Sequence, residues 1–159
     1  MSEQKFVYVT YINATPEKVW EALTNGDFTY QYWAGRRIES DWKPGSRVRH
    51  LMEDGGIDWD GEVLECDPPR RLAYTFDVRL NAGKKNVDSE CGCHGSGEPP
   101  SRVTFEIESF RDKVKLIVTH DQFPPDSKVL PGISKGWPAI LCSLKSLLET
   151  GDALFPDWR

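Results

Sequence analysis

The segment that most constrains this chain is its longest amphipathic stretch, at about residues 132–150. There Trp137, Ile140, Leu141, Leu144, Leu147 and Leu148 recur at spacings of three and four. That period belongs to a helix with one wide apolar face. Gly151 stands where a helix stop is expected. Pro138, close to the start, reads as a first-turn proline. A stripe this wide must be buried against another layer. The only partner of sufficient size is the series of short alternating segments that precedes it.

Those segments read as half-buried antiparallel strands. Residues 5–12 (KFVYVTYI) are β-branched and aromatic and make a first strand. Thr15 is a good N-cap with Pro16 at the first helical position, and Glu17 and Glu21 lie near the positive end of the helix dipole. Val19, Trp20 and Leu23 form its apolar stripe, Asn25-Gly26 ends it, and residues 27–34 suit a second helical turn. From residue 36 onward strands alternate with the turns Lys43-Pro44-Gly45, Asp54-Gly55-Gly56 and Asp67-Pro68-Pro69. Period two places Val48, His50 and Met52 on one face. The same holds for Ile57, Trp59, Gly61 and Val63, and for Leu72, Tyr74 and Phe76. Val103, Phe105 and Ile107, then Val114, Leu116, Val118 and His120, continue the pattern before Pro124-Pro125 stops the sheet. Residues 81–101 are rich in Gly, Ser and Pro and are expected to form one long, mobile loop. The order is strand, short helices, about six strands and a long helix. That is an α+β domain, and 159 residues suit a single one, spanning 1–159.

Charge narrows the function classes. Lys and Arg total 20 against 25 Asp and Glu, a net charge of −5, which lacks the positive field that nucleic acids or anionic membranes require. No apolar run approaches a membrane span. The start, Met1-Ser2-Glu3-Gln4-Lys5, has no signal-peptide pattern, so a cytoplasmic location is expected, with the four cysteines as thiols or metal ligands.

A series of motifs then resembles a known family. Ala14-Thr15-Pro16-Glu17-Lys18-Val19-Trp20-Glu21-Ala22-Leu23-Thr24 resembles the entry motif of the START-like, helix-grip superfamily, in the branch named after the activator of heat-shock protein 90 ATPase. Tyr32-Trp33, Gly61-Glu62-Val63-Leu64-Glu65, Asp67-Pro68-Pro69-Arg70-Arg71-Leu72 and Val118-Thr119-His120 follow in the family's order. Gly136-Trp137 and the run Leu144–Gly151 complete it. The resemblance implies a curved antiparallel sheet gripping the C-terminal helix over a cavity. It implies no single function, because superfamily members bind apolar molecules, act as cyclases or assist chaperones. The eukaryotic activator resembles two joined domains, of which this sequence has room for the helix-grip one.

Strand parity turns His50 and His120 inward with Trp59 and Tyr74. Together with Phe76, Phe105, Trp137 and Leu141 they are the expected ligand-binding set: aromatic walls with two imidazoles as polar handles. Ordinary core packing would use the same residues. No Ser–His–Asp order, nucleotide loop or metalloprotease motif is present, so no catalytic residue is assigned. Cys91-Gly92-Cys93-His94 places Cys91, Cys93 and His94 as soft ligands on a Gly-rich loop, suited to Zn, to Cu(I) or to redox use. Asp58, Asp60 and Glu62, opposite Arg47 and Arg49, read as a solvated outer face. Cys142 reads as a buried thiol. Trp42 and the tail aromatics Phe155 and Trp158 are expected to be exposed near charges, as a partner or dimer contact or, equally, as a tail folded onto its own domain. The expected function is binding of a small apolar or aromatic ligand between sheet and helix. A chaperone-associated or other protein-interaction module is the alternative, and metal or redox sensing by the 91–94 loop a second.

Overall fold

The computed structural model describes residues 4–77 and 98–158. Seven strands and three helices lie within them: β1 (Phe6–Ile12), α1 (Pro16–Thr24), α2 (Gly26–Tyr32), β2 (Arg37–Glu39), β3 (Arg47–Leu51), β4 (Ile57–Asp67), β5 (Arg71–Phe76), β6 (Ser101–Phe110), β7 (Lys113–Asp121) and α3 (Val129–Thr150). The expected loop thus ends before Ser101, which opens β6. Thr15 caps α1 by accepting the Lys18 amide, with Pro16 at the first helical position. Asn25 ends α1 and caps α2, its side chain accepting from Asp27.

The strands form one antiparallel sheet in the order β1-β7-β6-β5-β4-β3-β2. Chain neighbours pair along most of it, while β1 closes onto β7, with Phe6 opposite His120 and Ile12 opposite Val114. Alternate residues face α3, and Val103, Phe105, Leu116, Val118 and His120 are buried on that side. The convex side is more exposed and carries Val7, Val9, Tyr11 and Phe110. At Gly61 strands β4 and β5 approach so closely that a Cβ would fall 1.7 Å from the Thr75 carbonyl oxygen. Only glycine fits there, and the ladder shifts register between Val63 and Glu65.

Helix α3 lies across the concave face, burying Val129, Ile133, Trp137, Leu141, Leu144 and Leu147. This is the α+β helix-grip arrangement. Gly151 takes the left-handed conformation as its C-cap, at φ 88°. The helix also ties down the sheet edge: Lys145 Nζ donates to the Tyr11 carbonyl at 2.6 Å, and Glu149 Oε2 accepts the Asn13 amide at 2.9 Å.

Four expectations are corrected. The helix begins at Val129, so Pro138 is interior, its tenth residue, and not in the first turn. Cys142 is exposed, with its sulfur 3.6 Å from the Tyr8 hydroxyl, because its position lies off the buried stripe. Asp58 is buried, since Arg36 folds back from the tight turn after α2 to meet it. Trp42 is only half-exposed: its indole N–H donates to the Thr24 carbonyl at 2.9 Å and its ring packs near Tyr74.

Candidate functional site

The apolar space under α3 is narrow. A cleft of about 30 Å³ opens between the sheet and the helix, walled by Trp33, Trp59, Phe76, Ile133, Gly136, Trp137 and Ile140. That is room for a water molecule, against about 300–1,000 Å³ for a typical ligand pocket. Of the expected residues, Trp59, Phe76 and Trp137 line this cleft. Tyr74, Phe105, Leu141, His50 and His120 are buried in the shell around it. Sequence reasoning missed Trp33, Ile133, Gly136 and Ile140 as walls. The signal for the last three was their position within one helical turn of Trp137. A wider groove of about 750 Å³ runs past Glu21, Glu39, Asp41, Arg47 and Arg49 on the surface. It is open and mixed in charge, and it contains none of the expected residues.

His50 is the fourth of the five residues of β3, opposite Ile38 on one side and Trp59 on the other. It is 1% exposed and boxed by rings: Trp59 at 4.6 Å, Trp33 at 5.2 Å edge-on, and Tyr74 and Phe76 at 6.1 Å between centroids. Neither ring nitrogen has a hydrogen-bond partner among the described residues. Burial pushes its pKa down to about 3, with Asp58 pulling it up and Arg36 pulling it down. The imidazole is therefore neutral at physiological pH and offers one donor and one acceptor, both unused. Three of the four rings around it also wall the cleft.

His120 is fully satisfied. Trp137 Nε1 lies 3.1 Å from His120 Nδ1, and an indole N–H can only donate, so Nδ1 is the acceptor. The proton must then sit on Nε2, which donates to Ser101 Oγ at 2.6 Å. The serine hydroxyl is left to donate to the Phe76 carbonyl, 3.4 Å away. Burial pushes the His120 pKa to about 3, opposed by Asp121. The chain from Trp137 to Phe76 joins α3, β7, β6 and β5 through one imidazole. It fixes the indole that forms one wall of the cleft.

Asp58 accepts from Arg36 Nε at 2.7 Å, and Arg36 also donates to the Ala34 carbonyl. This pair braces the turn that carries Trp33. No group of three or more His, Cys, Asp or Glu suited to a metal occurs among the described residues. Cys91, Cys93 and His94 lie outside the described residues, and with them the zinc expectation.

Comparison with known proteins places the chain. The family model described as activator of Hsp90 ATPase homolog 1-like protein matches residues 13–149. The chain belongs to this family. Among solved structures, a protein from Mesorhizobium loti is 25% identical with a TM-score of 0.69, over 91% of this chain and 96% of that one. The Aha1 dimer from Colwellia psychrerythraea is 23% identical with a TM-score of 0.68, over 93% and 98%. An Hsp90 activator from Plasmodium falciparum is 21% identical with a TM-score of 0.68, over 91% and 95%. The Colwellia and Plasmodium likenesses show a shared fold. A search of the curated proteins returns no match. Among the described residues of this Aha1-like chain, no helix is long and apolar enough to cross a membrane.

Proposed function

We propose that this Aha1-like protein binds a small, uncharged aromatic molecule in the cleft between the sheet and α3. The observation that carries this is His50, a buried neutral imidazole with both nitrogens unpartnered, set among the rings that wall the cleft. A buried polar group without a partner costs about 1–3 kcal/mol, which a hydrogen bond from a ligand would offset. A ligand carrying a hydroxyl or N–H would satisfy His50 once the rings between it and the cleft part, and its own rings would stack on Trp33, Trp59 and Trp137. The walls carry no charge, which selects against carboxylates and amines.

The test is a titration of intrinsic tryptophan fluorescence with 1-naphthol, using naphthalene as the control lacking a hydroxyl. Micromolar binding of 1-naphthol is expected, weaker for naphthalene and weakened about tenfold by His50→Leu, the size of one hydrogen-bond contribution. Absence of any 1-naphthol binding up to its solubility limit overturns the proposal.

A partner-protein function has its own support: the name of the Plasmodium relative and the exposed convex-face residues Val7, Val9, Tyr11 and Phe110. Stimulation of a purified Hsp90 ATPase, abolished by Val9→Asp, would favour it over the cleft.

A further inference from the structure

At about 30 Å³ the cleft is closed to any aromatic ligand, so some wall has to move. Both halves of helix α3 are buried on the sheet side, Val129, Ile133 and Trp137 as fully as Leu141 and Leu147, but different segments tie them. The C-terminal half is anchored on both sides. Leu141, Leu144 and Leu147 are buried beneath it, and Lys145 and Glu149 bond to the backbone at Tyr11 and Asn13. The N-terminal half supplies Ile133, Gly136 and Trp137 to the cleft. Between the halves stands Pro138, which has no N–H to answer the Ser134 carbonyl and crowds it. Bends in helices concentrate at such a point.

The start of α3 is held from elsewhere in the chain. Its N-cap, Lys128, makes no side-chain capping bond. The carboxylate of Glu98, 30 residues earlier, accepts the Lys128 amide, accepts the Val129 amide at 3.2 Å, and takes the Ser127 hydroxyl at 2.7 Å. Ser127 Oγ in turn accepts the Val129 and Leu130 amides at 3.1 Å. A carboxylate at a helix N-terminus is favoured by both hydrogen bonding and the dipole. Glu98 stands three residues before Ser101, so both polar ties on this half of the helix lead to the entry of β6: Glu98 directly, and Trp137 through His120 and Ser101.

We infer that Val129–Trp137 is a hinged gate over the apolar cleft, with Pro138 as its hinge and Glu98 as its latch. The inference rests on the ligand-binding proposal for its cargo but not for its motion. Opening separates Ile133 and Trp137 from Trp33 and Phe76 and breaks the Trp137–His120 bond. The anchored half stays on the sheet.

Hydrogen exchange on the ligand-free protein tests the motion. Amides 132–137 are expected to exchange faster than 140–147. Glu98→Ala should speed them about tenfold, the equivalent of a charged hydrogen bond, with Glu98→Gln in between. Pro138→Ala, which restores an intrahelical bond and leaves a good helix former, should slow them about tenfold or more. Equal exchange in both halves, with no response to Pro138→Ala, overturns the gate whatever the protein binds. Stopped-flow mixing with 1-naphthol tests the coupling. Association should be faster in Glu98→Ala and slower in Pro138→Ala. Rates that do not change in either variant overturn the gate as the route of entry. The expected exchange pattern without any 1-naphthol binding would sink the ligand proposal and leave the hinge standing.

Discussion

Two neutral histidines in the core make acid stability the sharpest measurable consequence of this structure. His50 and His120 have folded pKa values pushed from the usual 6.5 to about 3 by burial. In the unfolded chain both protonate as the pH falls below 6.5, while in the folded protein neither does. The unfolded state then binds more protons, so stability falls with pH between about 6.5 and 3 and is fully present above 6.5. At pH 5 each histidine costs about 2 kcal/mol, and the two together about 4 kcal/mol, a large share of the roughly 5–15 kcal/mol that holds a domain together. Carboxylates of ordinary pKa titrate mostly below pH 5, so the range from 7.5 to 5.0 isolates the histidines. Urea denaturation followed by far-UV circular dichroism at pH 7.5, 6.5, 5.5 and 5.0 measures the effect. The double variant His50→Phe, His120→Gln should lose most of the slope, even where its stability at pH 7.5 is lower. A wild-type loss below about 1 kcal/mol from pH 7.5 to 5.0, or an equal slope in the double variant, would refute the assignment of both imidazoles as neutral and sequestered.

Three further outcomes follow from particular contacts. Gly61→Ala drives a Cβ into the Thr75 carbonyl oxygen, 1.7 Å away, and should cost roughly 3 kcal/mol or more in thermal or urea unfolding. Leu144→Ala empties a fully buried site under α3 and should cost about 3 kcal/mol, lowering Tm by about 9 °C. Asp58→Ala leaves the Arg36 guanidinium without its carboxylate and should cost about 2 kcal/mol, with little change between low and high salt because the carboxylate is buried.

Strand parity was legible because each long strand keeps period two where it faces α3. Val103 to Ile107 and Val114 to His120 point inward as their alternation requires. Asp58 defeated the same logic. It sits on the outward parity of β4, but Arg36 returns to cover it from a turn in which Ala34 and Gly35 take positive φ, and nothing local to β4 announces that. The start of α3 was hidden by Pro131, Gly132 and Gly136, which thin the apolar stripe before Trp137 and made Pro138 look terminal. Period also says which rings point inward but not how tightly they meet. The eight expected ligand-binding residues are all buried, yet the width of the cleft depends on side-chain packing across Trp33, Trp59 and Trp137. The cap on α3 was legible only in Ser127, which accepts the Val129 and Leu130 amides, because the carboxylate of Glu98 reaches it from a distant part of the chain.

The ties between α3 and β1 also bear on how this molecule meets others. An uncovered sheet edge is a template on which another chain can add a strand, a common route to aggregation and domain exchange. Here Lys145 occupies the Tyr11 carbonyl and Glu149 the Asn13 amide, while the opposite edge, β2, is only three residues long. A foreign strand reaching the Ile12 end of β1 would have to displace a lysine, and at the other edge it would find a strand of three residues.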